Sequence, residues 1–146
     1  MFKVGIIGAG WIAEKMAQAL APLKDYCVYA IASRSLDKAE EFAGKWNIPK
    51  AYGSYEEMVR DEEIDLVYIA TPHSHHYPHT MLAIEHGKHV LVEKAFTANA
   101  REAEILLKTA KEKGVFITEA IWTRYMPLSH KVREIMESGI IGEPRI

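Results

Sequence analysis

The sequence predicts a doubly wound α/β fold, in which a parallel sheet carries helices on both faces. Apolar runs of strand length alternate along the chain with segments whose apolar residues have helical spacing. The strand runs are apolar throughout, which is typical of parallel strands covered on both sides. A glycine turn, GAGWIA, joins the first run to the first helical segment. Right-handed crossovers between such strands produce a doubly wound sheet.

The first half of the chain alternates strands with capped helices. The first helical segment stops near Pro22, and Ser35 is suited to cap the second because its hydroxyl can accept a first-turn N–H. Ser54 with Glu57 forms a capping-box pair that starts a short third helix. The strands predicted here are residues 2–7, 26–33 and 64–71.

The second half continues the alternation and ends abruptly. Asn99 with Glu102 opens a helix that ends at Gly114, and apolar residues at helical spacing predict a last helix between about 128 and 136. After Gly139 the run IIGEPRI predicts the start of another strand. We therefore expect a dinucleotide-binding domain at residues 1–120, followed at 121–146 by a connecting helix and the start of a truncated second domain. The remaining predicted elements are a helix at about 77–86 and strands at 89–93 and 115–120.

Composition and charge exclude several classes of protein. The 146 residues, 49% apolar, suffice for one domain with one sizeable core. With 18 Lys and Arg against 20 Asp and Glu and no basic cluster, nucleic acid is not an expected partner. Cys27 is the only cysteine, so neither an internal disulfide nor a thiolate cluster can form. No basic leader and no long apolar run is present, and we expect a soluble, cytoplasmic protein without a membrane partner.

The glycine turn predicts dinucleotide binding. Gly8 permits a tight turn, Gly10 lets the backbone approach a pyrophosphate, and Ala13 allows the helix to pack closely on the sheet. Trp11 and Ile12 begin the helix, whose N-terminus offers N–H groups and a positive dipole end to phosphates. Glycines also occur in purely structural turns, but the position directly after the first strand favours a cofactor site.

The tip of the second strand indicates which dinucleotide is bound. A carboxylate there would accept hydrogen bonds from the 2′-hydroxyl of NAD, but residues 28–36 contain none. Ser33, Arg34 and Lys38 instead supply a hydroxyl and two cations suited to a 2′-phosphate, which favours NADP. The alternative is that Arg34 is a solvated turn residue and Asp37 serves NAD.

The histidine-rich run HSHHYPH admits two interpretations. His75 and His79 could share a helix face and bind a metal, but Pro78 disturbs the register and no further ligand completes a set, so we predict no metal site. The run also follows a central strand, at the carboxyl edge of the sheet where ligands bind. His76 then either faces the cofactor or has a purely structural role. The cofactor contacts predicted in this loop are Thr71, Pro72, His73 and His76.

Glu93 and Lys94 end the next strand and lie at the same edge. A lysine there gives up hydration either for a salt bridge or because it acts on a ligand. Beside a nicotinamide it could donate a proton or hydrogen bond to a substrate oxygen. The residues themselves favour the salt bridge and the catalytic role equally.

The runs GIIGAGWIA, TPHSHH, GKHVLVEKAF and EAIWTRYMP occur in this order and span nearly the whole chain. Together they resemble the N-terminal Rossmann domain of the Gfo/Idh/MocA oxidoreductase family. Within that family, EKAFT and EAIWTRYMP are most similar to the branch of dimeric dihydrodiol dehydrogenases and NADP-dependent xylose dehydrogenases.

The resemblance implies roles for individual residues. Lys94 matches the active-site lysine of the family, and Glu93 matches the acid before it. Trp122 and Arg124 match a segment that lines the nicotinamide and substrate region, and His76 matches the histidine of a Thr-Pro-Asn-x-x-His pattern.

Two residues depart from the family pattern. Ala95 replaces a usual proline and loosens the backbone beside Lys94, although the aldose-like branch tolerates alanine. His73 replaces a common asparagine, which leaves the nicotinamide-side contact open.

The resemblance also implies a second α/β domain that supplies the substrate pocket and the dimer face. We expect this chain to be the cofactor half of an NAD(P)-dependent dehydrogenase, inactive alone, acting on a sugar, polyol or trans-dihydrodiol as a homo-oligomer. One alternative is a non-catalytic NAD(P)-binding sensor. Another, a metal-dependent hydrolase, depends on the histidines alone.

Overall fold

The computed structural model describes residues 1–143, which form one parallel α/β domain followed by a separate helix. Short 3₁₀ turns at His73–His75 and Trp122–Tyr125 precede the fourth and sixth helices. The strands are β1 (Phe2–Ile7), β2 (Tyr26–Ala32), β3 (Lys50–Tyr52), β4 (Leu66–Ile69), β5 (His89–Val92) and β6 (Ile117–Glu119). The helices are α1 (Trp11–Leu20), α2 (Leu36–Trp46), α3 (Tyr55–Val59), α4 (His76–Glu85), α5 (Ala100–Lys113) and α6 (Pro127–Glu137).

The six strands are all parallel and lie in the order β3-β2-β1-β4-β5-β6. Strand order therefore reverses between β1 and β4, whose neighbouring residues include Ile7 and Ile69. At such a reversal the connections leave in opposite directions and open a crevice at the carboxyl ends of the strands. The predicted doubly wound fold is confirmed.

The core lies on both faces of the sheet. Ile7, Ile69 and Val92 belong to one buried cluster, and Ile6 and Tyr68 belong to the other. Alternate residues of the central strands thus point to opposite faces and are buried on both. This arrangement explains why the strand runs in the sequence are apolar throughout.

The predicted helix caps are confirmed. The Ser54 hydroxyl accepts from the backbone N–H of Glu57 at 3.3 Å, and the Ser35 hydroxyl accepts from that of Lys38 at 3.5 Å. At α5 the Asn99 side chain accepts from the Glu102 N–H at 3.0 Å, while Glu102 Oε2 accepts from the Ala98 N–H at 3.2 Å. The three bonds to the capping side chains satisfy first-turn donors that a helix otherwise leaves unpaired, and the Glu102 side chain binds the N–H of Ala98, just before the helix.

Three features differ from the sequence-based expectation. Strand β1 has the predicted bounds, but β2, β4, β5 and β6 are shorter than their apolar runs, because residues at the ends of those runs lie in loops. Strand β3 was not predicted, because three half-buried residues give no apolar run. The strand predicted after Gly139 is wrong for residues 140–143, which form a turn and irregular backbone, and its remainder, residues 144–146, lies outside the described residues.

The helix α6 follows the domain without adding to its core. Its apolar residues have the predicted helical spacing, yet Leu128, Val132 and Met136 are all exposed. Across residues 1–143, none of the helices combines the length and the apolar character needed to cross a bilayer.

Candidate functional site

The carboxyl edge of the sheet holds two neighbouring cavities at the strand-order reversal. The larger has a volume of about 890 Å³ and the smaller about 230 Å³, and Thr71, directly after β4, lines both. The glycine turn after β1 borders the smaller cavity, while the loop after β5 borders the larger. The sequence pointed to the glycine turn and to the loop after β5 independently, because each follows a strand. In the structure they lie at neighbouring cavities.

The fold itself requires Gly8. Its φ is 102°, in the left-handed region, and a Cβ there would lie 2.8 Å from the Ala70 carbonyl oxygen. The Gly8 N–H also donates to the Ala32 carbonyl at 2.9 Å. The turn therefore passes so close to β4 that no side chain fits.

Gly10 differs, because nothing inside the chain requires it. Its φ of −98° is open to any residue, and a Cβ there would meet no protein atom within 4 Å. Gly10 is also the N-cap of α1, and no side chain caps that helix. Because Gly10 lines the smaller cavity, α1 starts at the wall of that cavity. No side chain at Gly10 covers the first-turn N–H groups of the helix.

The smaller cavity brings together most of the residues predicted for the adenosine end of a cofactor. Ser33 is 9% exposed and its hydroxyl accepts from the Ser35 N–H at 3.4 Å, so its side chain is fixed at the tip of β2. Arg34 and Lys38 add two cations, whereas Asp37 lines neither cavity. The predicted residues at this cavity are Gly8, Gly10, Ser33, Arg34, Lys38, Thr71 and Pro72.

An aromatic cluster that the sequence did not predict closes the same cavity. The rings of Tyr55 and His79 meet edge to face at 4.7 Å between centroids, and the His75 ring lies 5.5 Å from that of His79. Burial, followed by the neighbouring His75, lowers the pKa of His79 to about 4. His79 is therefore neutral near pH 7, and its Nδ1 lies 3.0 Å from the Thr71 hydroxyl. Among residues 1–143, no group of three or more potential ligands could hold a metal.

His76 is fully buried at the start of α4. Its Nε2 lies 2.9 Å from the Thr71 carbonyl oxygen, and its Nδ1 lies 2.7 Å from the Ala95 carbonyl oxygen. The ring thus ties the loop after β4 to the loop after β5 and forms part of the wall of the larger cavity. Its two nitrogens face protein carbonyls, so the structural role that the sequence left open is present.

The larger cavity collects the residues predicted for the reacting end of a cofactor. Trp11 is 70% exposed and Trp122 63% exposed, yet both line it, at α1 and at the second 3₁₀ turn. The predicted residues at this cavity are Trp11, Ile12, Thr71, His73, His76, Glu93, Lys94 and Trp122. Arg124 lies exposed in the same 3₁₀ turn and lines neither cavity, so its role stays a prediction.

Of the two roles that the sequence allowed for Lys94, the structure bears on the salt bridge, and the catalytic role stays a prediction. Glu93 is 9% exposed, and its Oε1 accepts from the Tyr68 hydroxyl at 2.5 Å, while its Oε2 accepts from the backbone N–H of Lys94 at 3.2 Å. The Lys94 ammonium forms no ion pair within 4 Å with any residue in the range 1–143. Lys94 is exposed at the larger cavity, and the carboxylate beside it is bound elsewhere. A salt bridge of Lys94 is therefore not observed within residues 1–143.

Sequence reasoning missed five polar residues of the larger cavity, which include Lys15 and Thr118. Tyr68 lies inside a buried strand, Glu119 ends β6, and Tyr125 ends the 3₁₀ turn. Glu119 could have been found, since it ends a parallel strand just as the residues around Lys94 do. Tyr68 gives a weaker signal, a single hydroxyl in an apolar run whose partner is 25 residues away.

Comparison with known proteins places this geometry in a family. The model of the oxidoreductase family with an NAD-binding Rossmann fold, Gfo/Idh/MocA, matches residues 2–120. Mouse trans-1,2-dihydrobenzene-1,2-diol dehydrogenase is 44% identical over 144 residues, which cover 97% of this chain and 43% of that protein. The NADP(+) D-xylose 1-dehydrogenase of Hypocrea jecorina is 48% identical over 152 residues, which cover 96% of this chain and 39% of that protein.

Solved structures give the same result. A 3-ketoreductase from Actinomadura kijaniata, in complex with NADP and TDP-benzene, superposes with a TM-score of 0.91 at 32% identity, over 99% of this chain and 44% of that one. A probable dehydrogenase from Thermotoga maritima superposes with a TM-score of 0.92 at 26% identity, over 99% of this chain and 43% of that one.

The chain spans less than half the length of these relatives. The matched region coincides with the six-stranded domain that carries both cavities. The resemblance seen in the four sequence motifs is therefore confirmed. The chain belongs to the Gfo/Idh/MocA family of oxidoreductases, and its residues 2–120 are the family's NAD-binding Rossmann domain.

Proposed function

We propose that this chain is the cofactor half of an NADP-dependent dehydrogenase that transfers hydride between NADP and a hydroxyl or carbonyl carbon of a small substrate. The single observation that carries the proposal is Lys94, which is exposed at the larger cavity without an ion-pair partner among residues 1–143, while the predicted dinucleotide elements line the neighbouring smaller cavity. Both cavities lie along the carboxyl edge of the sheet, where dinucleotides bind in this fold.

The cofactor is held by three groups of residues. The pyrophosphate lies against Gly10 and the first-turn N–H groups of α1, because Gly10 leaves the backbone open and the helix dipole favours anions. Ser33, Arg34 and Lys38 bind the 2′-phosphate at the far end of the smaller cavity. The nicotinamide enters the larger cavity, between Trp11 and Trp122 and near Thr71, His73, His76 and Glu93.

Lys94 acts on the substrate at the reacting end. NADP, when bound, supplies the hydride acceptor or donor. The Lys94 ammonium lies at the cavity, and no described residue forms an ion pair with it, so its N–H groups are available to a substrate oxygen and can stabilise the charge that develops there. Arg124, at the same 3₁₀ turn as Trp122, is proposed to approach the substrate only when the rest of the protein is present.

The proposed substrate class is supported by the names of the relatives. Relatives named for a dihydrodiol and for D-xylose support a sugar, polyol or trans-dihydrodiol as the substrate. We further propose that residues 121–146 lead into a second domain that completes the pocket and forms a homo-oligomer interface. The exposed apolar face of α6 supports this proposal, as does the greater length of the relatives. A cytoplasmic location is in keeping with a single cysteine and this cofactor.

The test is a titration of the protein with NADPH and NADH, followed by quenching of tryptophan fluorescence. We expect tighter binding of NADPH, and we expect Arg34→Asp to weaken NADPH by about 10- to 100-fold while weakening NADH far less. Arg60→Asp is the matched control, because Arg60 lies at the end of α3 and lines neither cavity. Equal affinities for both nucleotides in the unmodified protein would refute the NADP assignment.

A further inference from the structure

We propose that Tyr68 is a positioning residue of this site: its hydroxyl holds the Glu93 carboxylate and thereby prevents an ion pair between Glu93 and Lys94. The inference rests on the proposed function, in which Lys94 acts on the substrate. Tyr68 itself does not touch the substrate in this account. It acts through Glu93, and its effect is read at Lys94.

The geometry shows a carboxylate with both oxygens engaged. Tyr68 is 2% exposed within β4, and its hydroxyl donates to Glu93 Oε1 at 2.5 Å across the sheet. Glu93 Oε2 accepts from the Lys94 backbone N–H at 3.2 Å. A buried carboxylate is stable only with such partners, and here they come from a strand and a backbone rather than from a cation.

The Tyr68 hydroxyl stays protonated and can therefore donate to Glu93 over a wide pH range. Burial, together with the hydrogen bond to the Glu93 carboxylate, raises the pKa of Tyr68 well above its usual value. Tyr68 therefore remains protonated over the whole range in which an enzyme works. The bond between Tyr68 and Glu93 does not switch off as pH rises towards 9.

Both carboxylates that line the cavity with Lys94 accept hydrogen bonds from the protein. Glu119 Oε1 accepts from the Phe96 N–H at 2.7 Å, and within residues 1–143 neither Glu93 nor Glu119 forms an ion pair. The other titratable groups that line the cavity are Lys15, Tyr68, His73, His76 and Tyr125. Lys94 is thus surrounded by groups that either carry no negative charge at neutral pH or are already bonded.

Loss of the Tyr68 hydroxyl would change the partner of Glu93. Its Oε1 would be left in a buried position without a donor, which costs free energy unless a new partner is found. The nearest cation along the chain is the adjacent Lys94, whose backbone already holds Oε2. An ion pair there would favour the charged ammonium and occupy its donors, so Lys94 would give up a proton less readily.

The experiment measures the ionisation of Lys94 directly, by competitive acetylation with acetic anhydride as a function of pH in the full-length protein. In Tyr68→Phe we expect the half-maximal labelling of Lys94 to move upward by about one pH unit. In the double variant Tyr68→Phe/Glu93→Gln the curve should coincide with that of Glu93→Gln alone, because without the carboxylate the Tyr68 hydroxyl has no group through which to act on Lys94. The alkaline limb of kcat/KM should follow the labelling curve in each variant.

Tyr52→Phe provides a matched control. The Tyr52 hydroxyl donates to Asp61 Oδ2 at 2.7 Å, so the variant also loses a tyrosine to carboxylate hydrogen bond. Tyr52 lines neither cavity. The control should leave the labelling curve of Lys94 unchanged.

Two results would overturn the proposal. One is a Tyr68→Phe curve that does not move. The other is a double-variant curve that stays displaced from that of Glu93→Gln alone, because Tyr68 would then act on Lys94 by a route other than the Glu93 carboxylate. The labelling does not depend on turnover, so it decides this proposal even if Lys94→Ala remains active and the proposed function fails.

Discussion

The two lysines that flank β5 lie in opposite environments. Lys88, before the strand, is 8% exposed and donates to the carbonyl oxygens of Asp61 at 2.7 Å and Ile64 at 2.9 Å. Lys94, after the strand, is exposed at the larger cavity, and in the part of the chain that the structure describes it has no ion-pair partner. Lys88 stabilises the fold through these two hydrogen bonds, whereas the Lys94 side chain is exposed at the cavity. The difference agrees with the rule that ligands bind at the carboxyl edge of such a sheet.

The largest expected effect separates these two lysines. Lys94→Ala in the full-length protein should reduce kcat by about 10²- to 10⁴-fold, because a general acid or hydrogen-bond donor is lost, while NADPH affinity changes little. Lys88→Met should instead lower the free energy of unfolding by about 1 to 3 kcal/mol, since two buried carbonyls lose their donor. Steady-state kinetics and urea unfolding of both variants measure the contrast.

Either of two results would contradict this contrast between Lys94 and Lys88. Full turnover in Lys94→Ala, or complete loss of its NADPH binding, would show that Lys94 does not act on the substrate as proposed. A Lys88→Met protein that unfolds like the original would show that its two carbonyl contacts contribute nothing.

A second effect, smaller than the first, separates two glycines that both have open space for a Cβ. Gly10→Ala should weaken NADPH binding by about tenfold, roughly 1.4 kcal/mol, because the new methyl group lies where the pyrophosphate approaches the backbone. Gly44→Ala, on the exposed side of α2, should leave binding unchanged and stabilise the helix by up to about 1 kcal/mol. Fluorescence titration and thermal unfolding measure the two quantities. Equal NADPH affinities in the two variants would mean that the glycine turn is only structural.

The sequence predicts the groups that follow strands and fails for groups whose roles depend on distant partners. The turn at Gly8 and the strand end at Lys94 are local patterns, so both were found. Tyr68 was missed because its role comes from Glu93, 25 residues away in the chain and adjacent only across the sheet. His76 was left open for the same reason, since its bond to the Ala95 carbonyl spans 19 residues. The exposure of α6 was also not predictable, because helical spacing shows which face is apolar and not what covers it.

A third effect, similar in size to the second, concerns His79, which lines the smaller cavity and is half-buried in the fold. Its pKa is lowered to about 4, so the unfolded chain binds a proton that the native chain does not bind between about pH 6.5 and pH 4. The stability due to a neutral His79 is complete above pH 6.5 and is lost as pH falls towards 4. Allowing for partial exposure, we expect a loss of about 1 to 2 kcal/mol over this range.

The measurement is urea unfolding between pH 4 and pH 7 for the unmodified protein and for His79→Gln. The slope against pH should be shallower in the variant. His86→Gln is the control, because His86 lies at the end of α4 and lines neither cavity. Identical slopes for the unmodified protein and His79→Gln would show that His79 does not resist protonation in the native state.

The central claim is that a dinucleotide lies along the carboxyl edge with its reacting end at Lys94. The most direct test is a crystal structure of the full-length protein with NADPH. We expect the 2′-phosphate on Ser33, Arg34 and Lys38, the pyrophosphate over Gly10, and the nicotinamide beside a Lys94 ammonium that is free of Glu93. A nicotinamide outside the larger cavity, or a Lys94 ammonium bonded to Glu93 with NADPH in place, would contradict the account.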